Sequence, residues 1–417
     1  MNSVFETEFF AANRERLRTL FKGTAPIVIT ANGALQRNAT IDFTFRQDSN
    51  FWYLTGINEP DIILVMDKQK DYLIVPTKDM FQEAFNGAIS SEALTQRSGI
   101  KLVFDDREGW KQLEGRLKRV KHVATLAPPA PYLEFYNLYS NPARAALVSK
   151  IKDINSGIEP LDLRQHLATM RMVKQPPELA AIQSAIDTTI KTLQQISRRG
   201  FSQYGYEYEI EADLTAGYRK SGAAGHAFPP IVASGQNTCI VHAQTNNDAL
   251  DPKGLIIIDS GAEVENYAAD ISRTYALKAP TKRQRQVFEA VYDVQQFAYA
   301  QLKPGVIIKE YEKTIEGYMG EKLRELGLIK SAEHEAIRQY FPHATSHHLG
   351  LDAHDAADYE RPLEPNMVVT VEPGIYIPEE GLGVRIEDDV LITASGIEVL
   401  SQALPIKLRR NGKIKSA

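Results

Sequence analysis

The sequence predicts an α/β domain over residues 1–165, followed by an α+β domain over 166–417 whose two halves repeat one order of elements. Three observations carry that reading. The 417 residues exceed a single compact domain of about 100–200. Short β-rich runs alternate with helical stretches as far as residue 165, then long helices take over. Each half of the remainder ends in a hairpin whose apolar strands are interrupted by acids.

In the first domain, PIVIT (26–30), DIILVM (61–66), DYLIVP (71–76), KLVFD (101–105) and KHVATLA (121–127) read as strands. Segments 6–21 and 107–119 carry helical spacing. PPAP at 128–131 and Asn141-Pro142 punctuate loops. No cluster of acids or histidines there suggests chemistry. Pro176-Pro177-Glu178 then starts a long helix, with proline tolerated in the first turn and Glu favoured by the helix dipole. Ile182, Ile186, Ile190, Leu193 and Ile196 form its apolar stripe. A shorter helix over 207–220, a glycine-containing loop (SGAAGHAF) and the strand PPIVAS follow. The order recurs: Thr281 and Gln284 fit a capping box, Val287, Val291, Val294 and Ala298 mark a second long stripe, and a shorter helix spans 310–326.

Composition narrows the function. With 48 Lys+Arg against 53 Asp+Glu, the formal charge of −5 argues against a nucleic-acid or membrane-surface binder. The single cysteine, Cys239, excludes an internal disulfide or a cysteine zinc cluster and suggests a reducing compartment. No apolar run reaches the roughly 18 residues of a membrane span, and the acidic N-terminus is no secretory leader. A cytoplasmic chain is expected.

The chemistry concentrates in the hairpins. Asp259 and Asp270 are symmetric about the polar loop at 263–266, so pairing would set them opposite each other, with Cβ atoms about 4.5–5.5 Å apart. Glu372 and Glu387 are symmetric about Glu379 and Glu380. A single strand acid is ordinarily a solvent-face charge. Two such pairs ask for a positive partner, which hydrolases supply as two metal ions about 3.5–4 Å apart. HATSHHLGLDAHD (343–355) holds four of the nine histidines and offers a nitrogen ligand, whereas His334 has the look of a surface residue. No GxSxG elbow, Walker loop or dinucleotide fingerprint competes, and nothing marks Cys239 as an activated nucleophile.

The strings DSGAEVENYAADISRTY, TSHHLGLDAHD, TVEPGIY and VRIEDDV, in that order, resemble the dimetal motifs of the pita-bread metallopeptidases, the group of aminopeptidase P, prolidase and methionine aminopeptidase. RNATIDFTFRQDSNFWYLTGINEP (37–60) is similar to the aminopeptidase P signature. The resemblance implies a pita-bread catalytic domain with internal pseudo-twofold symmetry. It implies that Asp259 binds one metal, that Asp270 and Glu387 bridge two, and that His347 and Glu372 hold the second. A metal-bridging hydroxide would attack, with Glu372 passing its proton to the leaving nitrogen. His242 and His354 match substrate-contacting histidines; His343 and Arg385 match supporting positions, Arg385 sharing a strand face with Glu387 and able to anchor a carboxylate. His348 stands where relatives often carry a large aromatic or apolar residue and is not expected to bind metal.

The implied activity is removal of the N-terminal residue from short peptides with proline second, in a homo-oligomer (dimer or tetramer) whose first domain restricts access and makes subunit contacts. Two divalent ions are implied, Mn(II) first, with Co(II) or Zn(II) tolerated. The competing readings are a prolidase that cleaves Xaa-Pro dipeptides and a metal-free peptide-binding module, and the presence of all five ligands weighs against the latter.

Overall fold

A computed structural model describes residues 3–408 apart from 69, 129–132 and 134–136, so most of the PPAP stretch lies outside the described residues. The chain forms two compact units, Phe5–Met170 and Arg171–Ala417 with Met1–Val4.

The first unit is built on a six-stranded mixed sheet in the order Leu102–Asp105, Lys70–Val75, Ile63–Asp67, Ile27–Thr30, His122–Thr125, Glu159–Asp162. Val28, Val65, Val123 and Ile74 fill one face against Leu113 and Leu117 of the helix Asp106–Leu117. The stretch RQDSNFWYLTG has a folding role. Asp48 caps the helix Ser49–Thr55 by accepting from the Asn50 and Phe51 amides, and Phe51, Trp52, Tyr53 and Leu54 are fully buried.

The second unit repeats one order of elements. Helices Pro176–Arg199 and Glu207–Lys220 precede the sheet Ile231–Ser234, Leu255–Ser260, Ile271–Ala276. Helices Lys282–Gln301 and Ile308–Glu325 precede the sheet Val368–Val371, Asp388–Ile392, Ile397–Val399. Both expected helical stripes are buried, and Thr281 and Gln284 form the reciprocal cap. Among the described residues no helix is long and apolar enough to cross a membrane.

The two acid-bearing hairpins differ from each other. In the second, Val371 pairs with Asp388 and Gly374 with Arg385, so Glu372 and Glu387 face each other at a gap between two ladders, as their symmetry predicts. In the first, Asp259 pairs with Ser272, and Asp270 lies beyond the paired strand. The shift comes from the turn. Glu265 and Asn266 both have positive φ, the mark of a two-residue type I′ turn, which centres the pairing one residue later than the polar loop suggests. Gly261 makes the offset possible, because a Cβ there would lie 1.6 Å from the Ala269 carbonyl oxygen. The SGAAGHAF loop is also partly a strand: Gly225–His226 pairs with Ala262 and Glu263, a pairing that two residues without apolar alternation do not announce.

Candidate metal centre

Asp259, Asp270 and Glu387 are buried at 7%, 6% and 2% exposure, which removes the solvent-face reading of these acids. Ligand atoms of Asp270, His347 and Glu387 all lie within 4.8 Å of one another. His347 Nε2 is 3.3 Å from Glu372 Oε1 and 3.7 Å from Asp270 Oδ2. Asp259 is held at the side of this group by Arg385, whose Nη2 donates to its Oδ2 at 2.6 Å.

Arg385 organises the rest. Its Nε donates to Ser272 Oγ at 2.9 Å, and that hydroxyl donates to Glu387 Oε2 at 2.8 Å. Its Nη1 donates to the Tyr376 hydroxyl at 2.9 Å, which stands 2.7 Å from His343 Nε2. His343 Nδ1 lies 2.8 Å from the Ala344 carbonyl and 3.7 Å from Glu372 Oε2. With Nδ1 donating to that carbonyl, Nε2 accepts from Tyr376, and one guanidinium fixes two carboxylates and one imidazole.

The electrostatics favour a cation. Burial raises the Asp270, Glu372 and Glu387 carboxyls; repulsion from Glu387 adds to the first two, and burial with the Asp259 charge carries Glu387 up to about 8. Burial and the neighbouring His354 push His347 down to about 3, so its imidazole is neutral. Its Nδ1 lies 3.1 Å from the His348 carbonyl and donates there, which leaves the Nε2 lone pair facing the Glu372 and Asp270 oxygens. Lone pairs converging at such distances repel unless a proton or a cation sits between them. Asp259 Oδ1 is likewise buried with no hydrogen-bond partner among the described residues. The group Asp270, His347 and Glu387, two carboxylates and one imidazole, therefore fits a hard or borderline divalent ion.

The remaining candidates lie around this group. The His354 ring is 4.2 Å from that of His347, and both His354 and His242 are open to solvent on one side. Desolvation and the neighbouring His242 lower His354, while desolvation and Arg385 lower His242. His348 is buried against Tyr359 and is absent from the ligand group. His334 is exposed and pairs with Glu316 at 2.6 Å. Burial raises the Cys239 thiol, the opposite of activation.

Several residues at the centre carry no sequence signal. Ser272 and Tyr376 join Arg385 to Glu387 and His343. Asp389 Oδ2 accepts from the Asp270 amide at 3.1 Å. Glu312 accepts from the Thr345 and Ser346 amides at 2.8 and 2.9 Å, fastening the histidine-bearing loop to the helix Ile308–Glu325. Only the acid run in VRIEDDV hinted at Asp389.

Known proteins match nearly the whole chain. Residues 179–394 match metallopeptidase family M24, and residues 10–124 match the aminopeptidase P N-terminal domain. The Xaa-Pro aminopeptidase of Haemophilus influenzae is 33% identical over 95% of each chain. The structure of Pseudomonas aeruginosa aminopeptidase PepP superimposes with a TM-score of 0.84 at 28% identity, covering 98% of this chain and 97% of that one. Zn-substituted Escherichia coli aminopeptidase P in complex with product does so with a TM-score of 0.83 at 29% identity, covering 97% and 96%. Two family matches in the expected order, full-length relatives and a buried acid–imidazole cluster agree: the chain is a member of metallopeptidase family M24, of the aminopeptidase P kind.

Proposed function

We propose that this protein releases the N-terminal residue from peptides with proline in the second position, using two divalent ions held by Asp259, Asp270, His347, Glu372 and Glu387. The observation that carries the reading is the neutral His347 Nε2 turned toward the Glu372 and Asp270 carboxylates. Four ionised carboxylates with one guanidinium leave three excess negative charges, more than one divalent ion offsets and fewer than two supply.

Bound there, the two ions supply Lewis-acid activation of water and of the scissile carbonyl. The protein's own groups do the rest. An Xaa-Pro bond is a tertiary amide, so its nitrogen needs a proton to leave as an amine. Glu372 is the proton carrier. Burial and Glu387 raise its carboxyl against the pull of Arg385, and Thr370 Oγ1 donates to its Oε1 at 3.5 Å. His354 and His242, neutral and open on one side, donate to the developing oxyanion and the substrate backbone. Arg385 and His343 hold the carboxylates in place. Mn(II) suits a set rich in carboxylates with one imidazole, and Co(II) or Zn(II) is tolerated. The protein acts on short peptides as a dimer or tetramer. A cytoplasmic location fits the single Cys239.

The test is metal-stripped protein resupplied with Mn(II) and offered Xaa-Pro-Yaa tripeptides, Xaa-Pro dipeptides and a proline-free control. Metal-dependent cleavage before proline in the tripeptide is expected. Cleavage of the dipeptide alone would make the enzyme a prolidase, and metal binding without cleavage a binding module. His354→Ala should lower turnover about 100-fold, as loss of an oxyanion donor does, with its metal content unchanged. Metal loss in that variant would make His354 a ligand.

A further inference from the structure

Beneath the histidine loop lies a charge cluster that the reaction does not use. Asp355, next in the chain to His354, is buried, as are Arg171 and Lys174. Lys174 Nζ donates to Asp355 Oδ2 at 2.9 Å and to the Arg171 carbonyl at 2.6 Å. Arg171 Nη2 bonds Asp355 Oδ1 and donates to Asp352 Oδ2 at 2.7 Å. Burial opposes ionisation of Asp355, but the two cations outweigh it and hold the carboxyl down at about 2. Buried charges of this kind are costly to desolvate, and apolar residues of similar volume usually stabilise as well or better. Such a cluster is therefore better suited to fixing a direction than to adding stability.

The direction can be read from one carbonyl. The His348 oxygen accepts the Asp355 amide at 2.8 Å and lies 3.1 Å from His347 Nδ1. The loop between is drawn tight over the cluster, since a Cβ on Gly350 would fall 2.3 Å from Asp355 Oδ2 and 3.0 Å from Lys174 Cε. The Gly350 carbonyl in turn accepts the Ala268 amide, two residues before Asp270.

We infer that Arg171, Lys174 and Asp355 form a positioning clamp that sets the His348 carbonyl, and through it the tautomer and aim of the His347 imidazole, while seating His354 beside it. The inference rests on the reading of His347 as a metal ligand. The clamp touches neither substrate nor metal. Asp355 anchors the carbonyl, the carbonyl holds Nδ1–H, and Nε2 is left as the donor atom. Lys174 and Arg171 act by immobilising Asp355, and Arg171 also holds Asp352 of the same loop.

The test measures Mn(II) affinity of the metal-stripped full chain by equilibrium titration, with kcat and KM recorded separately on a tripeptide. Wild-type protein that binds no Mn(II) would sink the ligand reading itself, and the clamp with it. Given wild-type binding, Asp355→Asn should weaken Mn(II) about 10–100-fold, the usual effect of losing a group behind a ligand, and lower kcat more than it raises KM. Lys174→Met leaves Asp355 paired with Arg171, so it keeps the question open to decision should Asp355→Asn fail to fold. The same loss of affinity is expected in it, with Lys174→Arg restoring most of the binding. A folded Asp355→Asn or Lys174→Met chain with wild-type affinity and kcat would overturn the clamp. So would loss of affinity only in proportion to loss of folded protein.

Discussion

Asp270→Asn is expected to abolish hydrolysis and strip most of the bound metal while leaving the fold intact. The substitution keeps the shape of the side chain and the Asp270 amide's bond to Asp389 Oδ2, but it removes a charge from the centre of the ligand group. Loss of several kcal/mol of metal-borne transition-state stabilisation corresponds to about 1000-fold or more in kcat/KM. The same charge is a liability without metal, because Glu387, Asp259, Asp389 and Glu372 all raise the Asp270 carboxyl in addition to its burial. Metal-free Asp270→Asn should therefore melt at or above the temperature of metal-free wild type. Metal content by elemental mass spectrometry, tripeptide turnover and thermal melts decide it together. A variant that keeps both ions and its activity would remove Asp270 from the centre.

Metal removal is expected to reverse the way stability depends on pH. In the chelated protein the Asp270, Glu372 and Glu387 carboxyls are raised, Glu387 from 4.5 to about 8. Between those values the folded chain holds protons that the unfolded chain has released. By linkage their contribution to stability is fully present below about 4.5 and is lost as pH rises through about 8. The buried histidines, lowered to about 3, oppose this below about 6.5, so the melting temperature of the metal-free protein should fall between about pH 7 and 8, where they are neutral in both states. Saturating Mn(II) displaces those protons, and at 100 times the dissociation constant it adds about 2.7 kcal/mol. That is roughly 5–10 °C for a domain of this size, most visible at the alkaline end. Melts over that pH interval with chelator and with Mn(II) check this. A flat or rising metal-free profile there would mean the carboxylates are not crowded as the structure places them.

The repeated helix–helix–strand order was legible because long apolar stripes are local, and Ile182 to Ile196 or Val287 to Ala298 need no partner to be read. The Glu372–Glu387 register was legible for the same reason, its turn lying at the centre of symmetry. The Asp259 pairing was not, because the turn type depends on positive φ at Glu265 and Asn266, and Glu is an unexpected residue there. The polar loop misled by one residue, and in a hairpin one residue changes which side chains meet. At the centre, acids and histidines in motif strings drew attention to themselves. Ser272, Tyr376 and Glu312 did not, since a serine, a tyrosine and a helical glutamate acquire meaning only from partners brought in by folding. Glu312, for example, precedes the amides it holds by 33 and 34 positions.

The gap in the second hairpin has a spectroscopic consequence. At Glu372 and Glu387 the backbone leaves its ladder, and their amides donate outward, to the Thr345 carbonyl at 2.8 Å and the Ser272 carbonyl at 3.1 Å. Deuterium uptake at Val369 or Val390 therefore follows opening of the sheet, whereas uptake at these two amides follows loosening of the histidine loop and of the opposite hairpin. Two backbone protons thus serve as built-in reporters of the walls of the centre, readable without a label or a substrate.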